Sequence, residues 1–239
     1  MGGSLKSPPM SDGAPIHLHP TAPLAERVML PGDPGRALAL AQLLLEEPRM
    51  FNHHRGLWGY TGGAPDGGPL TIQATGIGGP SAAIVLSELI DLGARRAIRV
   101  GTCGALDPTL VLGELIVASE AIGADGTSRA LGAGERVAAD PRLTRALALH
   151  APGARTGTVV SVDLFYGDGR PGAGADAMAL EMEAAALFAL GAARGAAVAC
   201  ALVVSDTFTA DGTRRRIDDH TLQESVERMG TAALAALAD

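Results

Sequence analysis

The chain has 239 residues, 47% of them hydrophobic but only 3% aromatic, with a formal net charge of −7. One large α/β domain with a core of small aliphatic side chains fits these figures, and the acidic balance speaks against nucleic acid or an anionic membrane as a partner. Cys103 and Cys200 stand in apolar runs. They are too few for a disulfide scaffold or a zinc site, and read as buried thiols of a reducing compartment.

Residues 1–15 read as a disordered tail. They lack the apolar core of a signal peptide, and Lys6 stands where a myristoylation start needs Ser or Thr. No run approaches the ~18 apolar residues of a membrane span, so a cytoplasmic protein is expected. The domain then occupies 16–239, without internal repeats. Arg27–Leu30 reads as a first strand, and Pro31–Arg36 (PGDPGR) as a sharp turn into a helix over Ala37–Leu45. Glycines in that turn let backbone N–H groups approach an anion, with Arg36 supplying charge; a solvated arginine on a plain turn is the alternative. His53 and His54 precede Arg55, but no Cys, Asp or Glu stands at metal-ligand spacing. A hairpin over Gly59–Gly62 and Pro69–Ala74 leads to a glycine crest, Thr75–Ser81 (TGIGGPS). It matches neither a dinucleotide fingerprint nor a phosphate-binding P-loop.

Pro80 opens a helix whose apolar face is Ile84, Val85, Leu89, Ile90 and Leu92, with Gly93 just past its end. Ala97–Val100 is a short buried strand running into a second crest at Gly101 and Gly104. Arg99 sits inside that apolar run, where a charge requires a fixed anion: a protein carboxylate or a ligand. Further strands are expected over Gly113–Ala124 and Gly157–Val162, a loop over 125–140, a helix over Leu143–His150 and a mobile segment over 167–176. Phe165 and Tyr166 offer aromatic faces on which a planar heterocycle would stack. Glu181 and Glu183 lie one residue apart ahead of a helix that starts at Ala184. In extended backbone both point to one side, and either could grip a vicinal diol; favourable charges at a helix N-terminus are the alternative. Ala197–Ser205 is the central strand, and it ends at Asp206, the usual place for a catalytic carboxyl in an open α/β sheet.

Taken together, PGDPGR, TGIGGPS, RVGTCGAL (99–106), VDLFY (162–166), EMEAA (181–185) and VSD (204–206) resemble the nucleoside phosphorylases, and more narrowly the bacterial hexameric purine nucleoside phosphorylases. The resemblance runs from about Ile16 to the C-terminus. It implies a single α/β domain with a mixed central β-sheet flanked by helices. Gly32, Arg36, Arg99 and Thr102 would hold phosphate, with Arg55 reaching a neighbouring subunit's phosphate. Met182 and Glu183 would hold the ribose, with His17 lent by a neighbour to its 5′-hydroxyl and His19 its competitor. Phe165, Leu180, Glu181 and Ser205 would line the base, and Asp206 would protonate it. Of Arg214, Arg215 and Arg216, the last is assigned beside Asp206. No metal or organic cofactor is implied. Inorganic phosphate is the co-substrate, and residues shared across an interface imply an oligomer, a trimer of dimers. Ile77 replaces a usual methionine, and the stretch between Tyr166 and Leu180 is shorter than in typical relatives. Uridine phosphorylases are the near rival. They read the pyrimidine with a Gln and an Arg after the aromatic pair, and Gly167–Arg170 offers only the arginine. A hydrolase without the phosphate arginines and a silent nucleoside-binding protein are the others.

Overall fold

A computed structural model describes residues 15–166, 176–209 and 211–239. The expected tail over 1–15 and the expected mobile segment over 167–176 lie outside them except for their last residues, Pro15 and Asp176. The chain runs through β1 (Arg27–Pro31), α1 (Pro34–Leu44), β2 (Glu46–Asn52), β3 (Gly59–Gly63) and β4 (Pro69–Gln73). Then come α2 (Gly79–Asp91), β5 (Arg96–Ala105), β6 (Leu115–Gly123), α3 (Gly126–Ala130), β7 (Arg136–Ala138) and α4 (Pro141–His150). The last part holds β8 (Arg155–Ser161), β9 (Ala179–Glu181), α5 (Ala184–Arg194), β10 (Ala197–Phe208), β11 (Arg214–Arg216) and α6 (Asp219–Ala238).

Helix starts follow the capping residues. Asp33 accepts the Arg36 N–H at 2.6 Å and Pro34 follows it, so α1 begins three residues before the expected Ala37. Asp140 and Asp218 cap α4 and α6 in the same way. Gly195 closes α5 in the left-handed conformation, φ +69°, which glycine adopts without strain.

The strands form one mixed sheet in the order β11-β10-β6-β8-β9-β5-β1-β4-β3-β2. The strand β10 also pairs with β5, so β5, β10, β6, β8 and β9 close on themselves. The sheet is mixed, as expected, and closed over this part. Alternation on β5 sends Ala97 and Cys103 to one apolar cluster, which includes residues of α2 and α5, and Ile98 and Val100 to another with residues of α1, α4 and α6. Helices thus cover both faces. Among the described residues no helix is long and apolar enough to cross a membrane.

Two sequence expectations change. The strand expected to stop before Gly101 continues to Ala105, because β10 and β9 both pair along its end: Cys103 with Val204, Gly104 with Leu180. The expected loop 125–140 contains α3 and β7. The sequence reading also assigned nothing beyond the Asp206 strand end and its arginines, where β11 and the long α6 lie.

Candidate active site

The strands β1, β4, β5 and β10 are mutually parallel, so their C-terminal ends meet at one edge. The two glycine loops interlock there: Thr75 N–H donates to Pro31 O at 2.9 Å and Gly76 N–H to Gly32 O at 3.0 Å. A Cβ on Gly32 would stand 3.2 Å from Gly76 O, so the close approach favours glycine.

Arg99 is buried at this edge, and the anion its charge demands is a carboxylate pair. Its Nε donates to Glu181 Oε2 at 3.0 Å and its Nη2 lies 2.5 Å from Glu183 Oε2. The guanidinium curls over Gly101, where a Cβ would stand 2.8 Å from it. Both glutamates therefore face the same side, as their spacing predicts, but their situations differ. Glu181 has no exposed side-chain surface. Besides Arg99 it accepts the Ser161 hydroxyl and the N–H groups of Glu183 at 2.9 Å and Ala184 at 2.9 Å. Burial pushes its carboxyl up against the opposing pull of Arg99. Glu181 is thus a saturated cap on the first turn of α5. Where the sequence placed it along the base, its side chain is turned inward onto Arg99, Ser161 and the first N–H groups of α5. Glu183 accepts the Gly78 N–H at 2.5 Å on Oε1 and Arg99 on Oε2. Each oxygen keeps a second lone pair, which suits a diol.

Arg36 is half-buried, and among the described residues no hydrogen bond or ion pair holds its guanidinium. Burial lowers its pKa, Asp33 opposes that, and the charge of Arg99 adds to it. Arg36 and Arg99 thus stand within electrostatic reach of each other beside the two glycine loops. Thr102, half-buried, is next on β5, paired with Val203.

Asp206 follows a register shift between Val204 and Asp206 that leaves Ser205 as the extra residue. The Ser205 hydroxyl lies 2.7 Å from Asp206 Oδ2 and 3.2 Å from Cys103 O. Strand β11 runs antiparallel beside it, with Asp206 opposite Arg216 and Phe208 opposite Arg214. The period of two puts Arg214 and Arg216 on the Asp206 side and Arg215 on the other. Arg214 Nε donates to Asp206 Oδ1 at 2.7 Å and its guanidinium sits 5.1 Å above the Phe165 ring. Arg216 stays 3.9 Å away with a largely exposed side chain. The assignment of Arg216 is therefore corrected to Arg214, which reaches the carboxylate diagonally across the ladder. Phe165 is 55% exposed and meets Tyr166 edge to face. Leu180, half-buried on β9, pairs with Gly104. A cleft of about 630 Å³ opens between the start of α2 and α3, lined by Ile77, Gly78, Pro80, Thr127, Asp163 and Met182.

His17 and Arg55 are not part of this cluster. They belong to a second one, where His54 Nδ1 donates to His17 O at 3.0 Å and stacks on His19 with 3.8 Å between ring centroids. Arg55 is exposed there with φ +59°, an uncommon conformation for a residue with a Cβ. His17 Nδ1 lies 2.7 Å from Glu88 Oε1. Glu88 is ten residues along α2 from Gly78, about 15 Å of helix rise. Sequence reasoning passed over Glu88; a charged residue inside an apolar helical face was the available signal.

A family model described as the phosphorylase superfamily matches residues 26–238. The chain belongs to the phosphorylase superfamily. It is 35% identical over 231 residues to a DeoD-type purine nucleoside phosphorylase of Geobacillus kaustophilus, covering 90% of this chain and 95% of that one. A protein of the same description from Alkaliphilus metalliredigens is 36% identical over 201 residues, covering 79% and 85%. A uridine phosphorylase of Thermococcus kodakarensis is 39% identical over 176 residues, covering 71% of this chain and 63% of that one. Within the superfamily, then, relatives named for purine and for pyrimidine nucleosides both align to this chain.

Proposed function

We propose that this chain phosphorolyses purine nucleosides to a free base and ribose 1-phosphate. The observation that carries the reading is Asp206, held by Arg214 at the end of β10 beside the exposed Phe165 ring. A purine stacked on Phe165 presents its imidazole edge to that carboxyl. Phosphate, placed by Arg36, Arg99, Thr102 and the loop at Gly32, attacks C1′ as the C1′–N9 bond breaks. The cation developing on the ribose is stabilised by the phosphate charge. Asp206 enters in its acid form, gives its proton to N7 so that the base leaves neutral, and is left as the carboxylate that Arg214 holds. Glu183 takes the ribose hydroxyls on its remaining lone pairs, and Met182 lies under the sugar. Arg99, already fixed by two carboxylates, orients the phosphate; Arg36, hydrogen-bonded to none among the described residues, supplies the neutralising charge.

His17 and Arg55, kept apart from the Arg99 cluster within one chain, would serve a neighbouring copy. The reading therefore includes a homo-oligomer with shared sites, a hexamer built as a trimer of dimers, in the cytoplasm. The chemistry needs no metal or organic cofactor.

The test is cleavage of inosine, adenosine and uridine with and without phosphate, wild type beside Asp206→Asn. Purine turnover that requires phosphate, with a loss of about 10²–10⁴ in kcat for inosine in the variant, is expected. The Thermococcus relative keeps uridine as the second reading, and turnover of uridine alone would establish it. Cleavage that ignores phosphate would refute both.

A further inference from the structure

Glu88 lies on the inward side of α2 among Val85, Leu86, Leu89 and Ile90, and is 5% exposed. A carboxylate buried in such surroundings requires donors. Among the described residues, all of its side-chain partners come from the segment that precedes β1. Leu18 N–H donates to it at 2.7 Å, His17 N–H at 3.0 and 3.1 Å, and Ile16 N–H at 3.2 Å. The remaining partner is His17 Nδ1 at 2.7 Å. Burial acts to push the Glu88 carboxyl up, but the bonds from His17 and Leu18 outweigh it and hold it below the ordinary carboxylate range.

An ionised carboxylate only accepts, so His17 Nδ1 carries a proton. In the neutral ring Nε2 is then a bare acceptor. Among the described residues nothing bonds that nitrogen, and the side chain is 29% exposed. The His54 ring fixes the other side of the residue through the His17 carbonyl. The imidazole is thus held at Nδ1 by Glu88 and the backbone of the same residue at its carbonyl by His54, while Nε2 has no bond among the described residues.

We propose that Glu88 is a positioning residue: it holds the His17 ring with Nδ1–H on its own carboxylate, so that Nε2 of the neutral ring is the atom that accepts a hydrogen bond from the nucleoside 5′-hydroxyl bound in an adjoining copy. The proposal rests on the reading of the function given above and adds the device that makes His17 an acceptor. Glutamine at 88 would turn an amide NH₂ toward backbone N–H donors, releasing both the segment and the ring.

The experiment compares kcat/KM for inosine and 5′-deoxyinosine in wild type, His17→Ala, Glu88→Gln and the double variant, alongside nitrogen-15 spectra of the histidine rings. Glu88→Gln is expected to lower kcat/KM for inosine roughly tenfold, the worth of one neutral hydrogen bond, while leaving 5′-deoxyinosine unchanged. His17→Ala should match it, and the double variant should be no worse than either. The wild-type His17 ring should read as Nδ1–H and change in Glu88→Gln. Parallel losses on both substrates would reduce Glu88 to a structural role and overturn the proposal, as would an Nε2–H ring in wild type. A wild type that does not phosphorolyse inosine would instead sink the parent reading, while the ring spectra still judge the Glu88–His17 pair.

Discussion

Replacing Glu181 by alanine is expected to act on stability before it acts on chemistry. The carboxylate binds Arg99 Nε at 3.0 Å and the N–H groups of Glu183 and Ala184 at 2.9 Å, and takes the Ser161 hydroxyl as well. Removing it orphans the first turn of α5 and leaves the buried guanidinium with Glu183 alone. A lost cap costs about 1 kcal/mol. Breaking a buried ion pair costs about 3–5 kcal/mol, and the surviving Glu183 contact places this case near the lower end. The sum is about 4 kcal/mol, a large part of the roughly 5–15 kcal/mol that holds a domain folded. Urea unfolding of Glu181→Ala and wild type at one fixed protein concentration reads it directly, because an oligomer's midpoint moves with concentration. Should Glu181→Ala keep its midpoint to within about 1 kcal/mol while KM for the nucleoside rises, the carboxylate faces substrate and the cap argument is wrong.

Two further predictions come from ion pairs. Arg214→Ala should lower kcat for inosine by roughly tenfold or more, the worth of a hydrogen bond to a charged group, while Arg216→Ala stays near wild type. The reverse order in steady-state kinetics would reject the strand register as the reason. The hydrogen bond from Arg27 holds the Asp66 carboxyl down to about 2, from an ordinary 3.8. A folded value below the unfolded one means stability that is present above about pH 4 and lost as pH falls toward 2. Asp66 is exposed, so screening limits the pair to about 1 kcal/mol or less. The stability gap between wild type and Asp66→Asn should therefore close over that range in urea titrations, and a gap that stays constant would count against the pair.

Much of the site is legible in the chain. A charge inside AIRV demands an anion, an acidic pair spaced by one residue places two carboxylates on one side, and a carboxyl ends the longest β-like run. These are local facts, set by periodicity and by the cost of burying charge, and the ordered motifs carry the family. The single mixed α/β domain is largely local in origin too, since α1, α3, α4 and α6 start at aspartate caps and the central strands β1, β5 and β10 follow apolar runs.

Pairing across distance is what only the tertiary structure decided. Arg99 and Glu181 are 82 residues apart, and nothing local says that the arginine's anion is this carboxylate and not a bound one. Closure of the sheet through β9 brings them together and turns Glu181 from a candidate pocket residue into a helix cap. Arg214, Arg215 and Arg216 are equivalent as sequence; the register of β11 against β10 separates them, because a strand shows alternate residues to one side. The same holds for Glu88 and His17, joined by the path of the chain ahead of β1 along α2. Capping and periodicity act over a few residues and can be read there. A charge finds its partner through the whole fold.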